Sequence, residues 1–84
     1  MINIKDMISG RLLDRGLAPV EIIRLIKDVS NVTVGSWYFN LSDVKTALKR
    51  LGWREYILDN FTLELIFLYI DDESVKELRK PILH

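Results

Sequence analysis

Apolar residues recur at helical spacing along most of this chain, and in one stretch they crowd almost every position. Ile4, Met7, Ile8 and Leu12, with Leu13 beside them, predict a first amphipathic helix over residues 2–15, despite Gly10. Gly16 ends it and Pro19 opens the next, an order that suits a left-handed residue closing one helix and a proline in the first turn of another. Val20, Ile22, Ile23, Leu25, Ile26 and Val29 then give the second helix a broad apolar face, with Arg24, Lys27 and Asp28 outward and Glu21 at the positive end of the helix dipole.

Residues 30–41 mix Asn31, Gly35, Ser36 and Asn40 with Val32, Thr33, Val34, Trp37, Tyr38 and Phe39, which predicts a loop with short extended pieces. Ser42 is the expected N-cap of a third helix running to Leu51, in which Val44, Ala47, Leu48 and Leu51 share a face and Gly52 provides the stop.

From Tyr56 to Ile70 the apolar residues are too many for one stripe. As a helix, the segment has a wider arc of Ile57, Leu58, Phe61, Leu65, Leu68 and Tyr69 and a second arc of Tyr56, Leu63, Ile66, Phe67 and Ile70. A helix over residues 53–72, broken near Asp59 or Asn60, competes with a hairpin of residues 56–58 and 63–69. Continuous apolar residues over 65–70 would need cover on both faces of a sheet, which so small a chain supplies poorly, so the helix is favoured. Asp71 or Asp72 can cap a last short helix in which Val75 and Leu78 face inward and Lys76 follows Asp72 by one turn, before Pro81 stops it; residues 72–84 are expected to be a weakly held tail. The expected fold is a mostly α, compact single-domain bundle of four to five helices over residues 1–84, with a short extended loop at about 31–40. The alternative is an α+β, winged-helix-like arrangement with a C-terminal hairpin.

Composition narrows the classes. The chain has 84 residues, 49% of them hydrophobic and 29% charged, which excludes disordered and collagen-like proteins. Absence of cysteine excludes a disulfide scaffold and thiolate metal sites, and fits a reducing compartment. The apolar run 65–70 falls short of a membrane span and residues 1–20 lack a secretory pattern, so a cytoplasmic location is expected. Asn31, Asn40 and Asn60 head Asn-x-Ser/Thr triplets, which without such a signal are turn or capping residues.

Candidate chemistry is sparse. The one histidine is His84, so no His-dependent pair assembles within the body of the chain; Asp71, Asp72 and Glu73 lack the spacing of a calcium loop, and the four glycines mark turns rather than a phosphate loop. No enzyme, cofactor, metal or small-molecule substrate is therefore expected. Twelve basic and twelve acidic side chains cancel, but Lys45, Lys49, Arg50 and Arg54 cluster in sequence and residues 55–73 carry six acids and no base. Residues 11–29 have the helix, glycine turn and helix order of a DNA-reading unit: Gly16, Leu17, Ile22 and Leu25 suit its turn and core positions, whereas Leu12 stands where a small residue is usual. A plain helical hairpin explains the same pattern.

Two functions follow. The first is a non-enzymatic module that binds itself or another protein through Leu63, Phe67 and Ile70 with Trp37 or Tyr38, because three adjacent aromatics and a second apolar arc exceed what the interior can take. The second is a small DNA-binding regulator contacting phosphates through Arg24, Lys27, Lys45, Lys49, Arg50 and Arg54.

Overall fold

The computed structural model describes residues 3–34 and 40–79, with side chains over 3–33 and 40–71. Its order is α1 (Ile4–Asp14), α2 (Pro19–Val34), α3 (Leu41–Arg50), a single 3-10 turn (Glu55–Ile57) and α4 (Asn60–Arg79). The described residues contain four α-helices and no strand, so the helical bundle is the fold and the hairpin alternative is not formed.

Each helix start has a local cause. Asn3 caps α1 by accepting from the Asp6 amide at 2.8 Å. At α2, Pro19 occupies the first turn and Glu21 reaches back to accept from the Ala18 amide at 2.8 Å, half of a capping box. The cap of α3 is Asn40, whose side chain accepts from the Ser42 amide at 2.9 Å. Ser42, the expected cap, is therefore one turn-position inside the helix; Asn40 reaches the same free amides earlier in the chain. Asp59 caps α4, accepting from the Thr62 amide at 3.2 Å.

Two helix ends repeat one device. Gly16 (φ 91°) and Gly52 (φ 103°) follow α1 and α3 in the left-handed region. The Gly16 and Leu17 amides donate back to the Leu13 and Leu12 carbonyls, and the Gly52 and Trp53 amides to the Lys49 and Leu48 carbonyls. Both are Schellman closures; Leu12, Leu17 and Leu48 belong to the core and Trp53 packs against it.

Three expectations along the chain change. The extended piece predicted from Val32 is the last turn of α2, which runs through Val34. Burial of Val29 and Thr33, whose hydroxyl donates to the Val29 carbonyl at 2.9 Å, outweighs the strand preference of these β-branched residues. Trp37 and Tyr38 lie outside the described residues. No new helix starts at Asp71 or Asp72, because α4 continues to Arg79 without a glycine or proline to release its backbone.

The third change concerns the 56–70 segment. Residues 53–59 leave the helix through the 3-10 turn, and Ile57 and Leu58 drop into the core there. In α4 the buried face is Thr62, Leu63, Leu65 and Ile66, whereas Phe61 and Leu68 are 48% and 56% exposed. Packing on both α1 and α2 makes this buried face wide. Leu63, expected at a docking surface, is fully buried, and Phe61 and Leu68 from the expected core arc face outward. Phe67 and Ile70 are half-buried against the core. The rest of that core is Ile8 and Leu12 of α1, Leu17, the Ile22, Leu25 and Val29 face of α2, and Val44 and Leu48 of α3. Among the described residues no helix is long and apolar enough to cross a membrane.

Candidate binding surfaces

The most connected polar group joins the end of α1 to the start of α4. Arg11 and Arg15, four residues apart on one helix face, meet Asp59 at 3.1 and 2.9 Å. Both guanidiniums also donate to the Thr62 hydroxyl, Arg11 at 3.2 Å and Arg15 at 3.0 Å, and that hydroxyl donates to Asp59 at 2.6 Å. The Arg11 guanidinium also lies 4.6 Å from the centre of the Phe61 ring. Partial burial works against the Asp59 carboxylate, but the Thr62 hydrogen bonds and then the charges of Arg15 and Arg11 outweigh it and hold its pKa below the ordinary value. Arg11, Arg15, Asp59 and Thr62 all have partners within the cluster. The cluster is a clamp between two helices, built on the N-cap of the second.

Two grooves flank α2. One lies between α1 and α2, about 230 Å³, with Lys5, Ser9 and Leu13 on one wall and Pro19, Ile22, Ile23 and Ile26 on the other. These are positions one turn apart on each helix, so the groove follows the seam. Of its walls, Leu13 and Ile23 are 50% and 65% exposed, and Val20, three residues before Ile23 on α2, is 70% exposed, an unusual load of bare aliphatic surface for adjacent turns.

The other groove, about 420 Å³, lies where the two glycine turns face each other. Gly16 and Leu17 come from the first turn, Leu51, Gly52 and Trp53 from the second, and Glu21, Arg24, Arg54 and Tyr56 complete the rim. The Trp53 indole is fixed as a wall by donating from Nε1 to Asp28 at 2.8 Å.

The six cations proposed from the sequence do not form one strip. Arg24 and Arg54, distant in sequence, share the second groove. Lys27 is on the outward side of α2, about 60° round the helix from Arg24. Lys45 and Lys49 share a flank of α3, where Lys49 pairs with Glu55 at 3.5 Å, and Arg50 lies about 100° further round. Among the described residues no group of three or more His, Cys, Asp or Glu is placed to hold a metal ion.

Comparison with known proteins finds no match to a family model, a curated protein or a solved structure. Function therefore rests on the surfaces. The sequence reading named Arg24 and Arg54 but missed the Arg11, Arg15, Asp59 and Thr62 clamp and the seam groove. An Asp-x-x-Thr capping pattern and two arginines one turn apart were the legible signals of the clamp.

Proposed function

We propose that the chain is a non-enzymatic interaction module that self-associates, docking through the α1–α2 seam. The supporting observation is a groove whose lips, Leu13 and Ile23, are exposed together with neighbouring Val20, and whose wall also holds Ile22 and Ile26. An exposed lip adjacent to a hollow of the same chemistry is what a two-fold interface uses, since each copy's lip enters the other's groove. Zero net charge removes the long-range repulsion that otherwise keeps copies apart.

Sedimentation velocity across micromolar concentrations tests the proposal. The wild-type chain is expected to shift from monomer to dimer. Ile23→Lys should keep it monomeric with unchanged helicity, because the side chain is exposed and the position lies in mid-helix. Leu68→Lys, on the outward face of α4, should leave dimerisation intact. A wild-type chain that stays monomeric overturns the proposal, and loss of the dimer in Leu68→Lys but not Ile23→Lys moves the interface to α4.

A further inference from the structure

The groove between the two glycine turns has no part in that interface, since it opens on the other flank of α2. Its chemistry differs too. Arg24 is exposed on α2 and Arg54 is exposed immediately before the 3-10 turn, and among the described residues neither forms an ion pair. Two exposed guanidiniums from separate elements line one hollow, and their planar forks match the oxygens of a phosphate. Glu21 is the one carboxylate of the lining, and its Oε1 already accepts from the Ala18 amide. The nearby Asp28 carboxylate accepts from the Trp53 indole. Glu55, next to Arg54 in the chain, pairs with Lys49 at 3.5 Å, so each of these three carboxylates has a partner within the fold.

The aromatic components complete the site. Tyr56 stands on the rim with 56% of its surface exposed, so a ring face is open to a planar ligand. Base stacking on such a face strengthens binding by about fivefold to a hundredfold and tolerates any base. Trp53 cannot swing across the opening while its indole is tethered to Asp28. At about 420 Å³ the hollow falls in the ~300–1,000 Å³ range of small-ligand sites.

We infer that this groove binds a nucleotide, with its phosphate on Arg24 and Arg54 and its base against Tyr56. The same chemistry comes from a free mononucleotide or from one unit of a single strand, and the test separates them. In ¹⁵N-labelled full-length chain, AMP should shift the amides of Gly16, Gly52 and Trp53 together. Inorganic phosphate should bind more weakly by about tenfold or more, since it lacks the stack. Arg24→Gln and Arg54→Gln should each weaken AMP by about tenfold or more, consistent with loss of a charge-assisted bond. Tyr56→Phe should retain binding and Tyr56→Ala lose it. All three side chains are exposed, and an unchanged amide spectrum away from the groove checks folding. A single-stranded oligonucleotide that binds more tightly than AMP, with the same arginine dependence, identifies the strand as the source; equal or weaker binding identifies the free nucleotide. Absence of shifts at millimolar AMP, equal affinity for phosphate and AMP, or arginine variants that bind as wild type would overturn the inference. Because Ile23 is on the other flank, Ile23→Lys should bind AMP normally, which separates this result from the oligomer test.

Discussion

Replacing Leu63 and Leu68 in turn by alanine tests the rotational setting of α4, on which every statement about its faces depends. The two leucines lie five residues apart, about 140° round the helix. Leu63 is fully buried, and Leu68 is 56% exposed. Truncating a fully buried leucine costs about 2–5 kcal/mol, combining lost transfer energy with an unfilled cavity. The whole stability of an 84-residue chain is roughly 4–13 kcal/mol, so Leu63→Ala removes a large share of it. Leu68→Ala loses only part of its apolar contact and gains a few tenths of a kcal/mol in helix propensity, for a net change below about 1 kcal/mol. Urea unfolding followed by far-ultraviolet circular dichroism, at one protein concentration low enough to avoid association, measures both. With a urea slope near 1 kcal/mol/M for so small a domain, the Leu63→Ala midpoint should fall by about 2 M or more and the Leu68→Ala midpoint by less than about 1 M. Equal losses, or a larger loss for Leu68→Ala, would mean that α4 is turned the other way and that the outward Phe61 and Leu68 face is wrongly assigned.

Three further outcomes are expected. Asp59→Ala should cost about 2 kcal/mol, of which about 1 is the lost N-cap and the rest two partly exposed arginine pairs, whereas Asp59→Asn should cost less because asparagine still caps; urea midpoints at pH 7 compare them. Because the folded pKa of Asp59 is depressed, its contribution is fully present above the unfolded value of about 3.9 and is lost as pH falls through the lower folded value, so a stability profile from pH 6 to pH 2 should be shallower in Asp59→Asn than in wild type. Gly52→Ala should cost about 1–2 kcal/mol through its φ of 103°, whereas Gly10→Ala, mid-helix and facing open space, should raise stability by about 0.5–1 kcal/mol, so their thermal midpoints should move in opposite directions.

What was legible in the sequence was local. Glycines 16 and 52, Pro19 and Glu21 act through the backbone within a turn of themselves, so the ends of α1 and α3 and the start of α2 could be read directly. The same logic failed at Ser42 because Asn40 offered an equivalent oxygen two residues earlier, and at Asp71 because a capping side chain does nothing where the backbone has no reason to leave the helix. The faces of α4 were misjudged for a different reason. Drawing one wheel from Tyr56 to Ile70 assumed a single axis, whereas the 3-10 turn ends before Asp59 and resets the phase, sending Ile57 and Leu58 inward independently of the residues that follow.

The same distinction explains the surfaces. On α2 alone, Ile23 and Arg24 are neighbours in an amphipathic pattern and neither announces a site. About 100° of rotation separates them, and that angle sends Ile23 to the seam with α1 and Arg24 to the hollow beside Gly52. Each surface is completed by residues that only the closed bundle brings near: Leu13 at the first, Arg54 and Tyr56 at the second. Periodicity along one helix therefore shows which residues are not needed for the core, and the neighbouring helices decide what those residues do. A chain with one buried face on α2 and two different hollows on its flanks presents aliphatic side chains on one side and two arginines on the other.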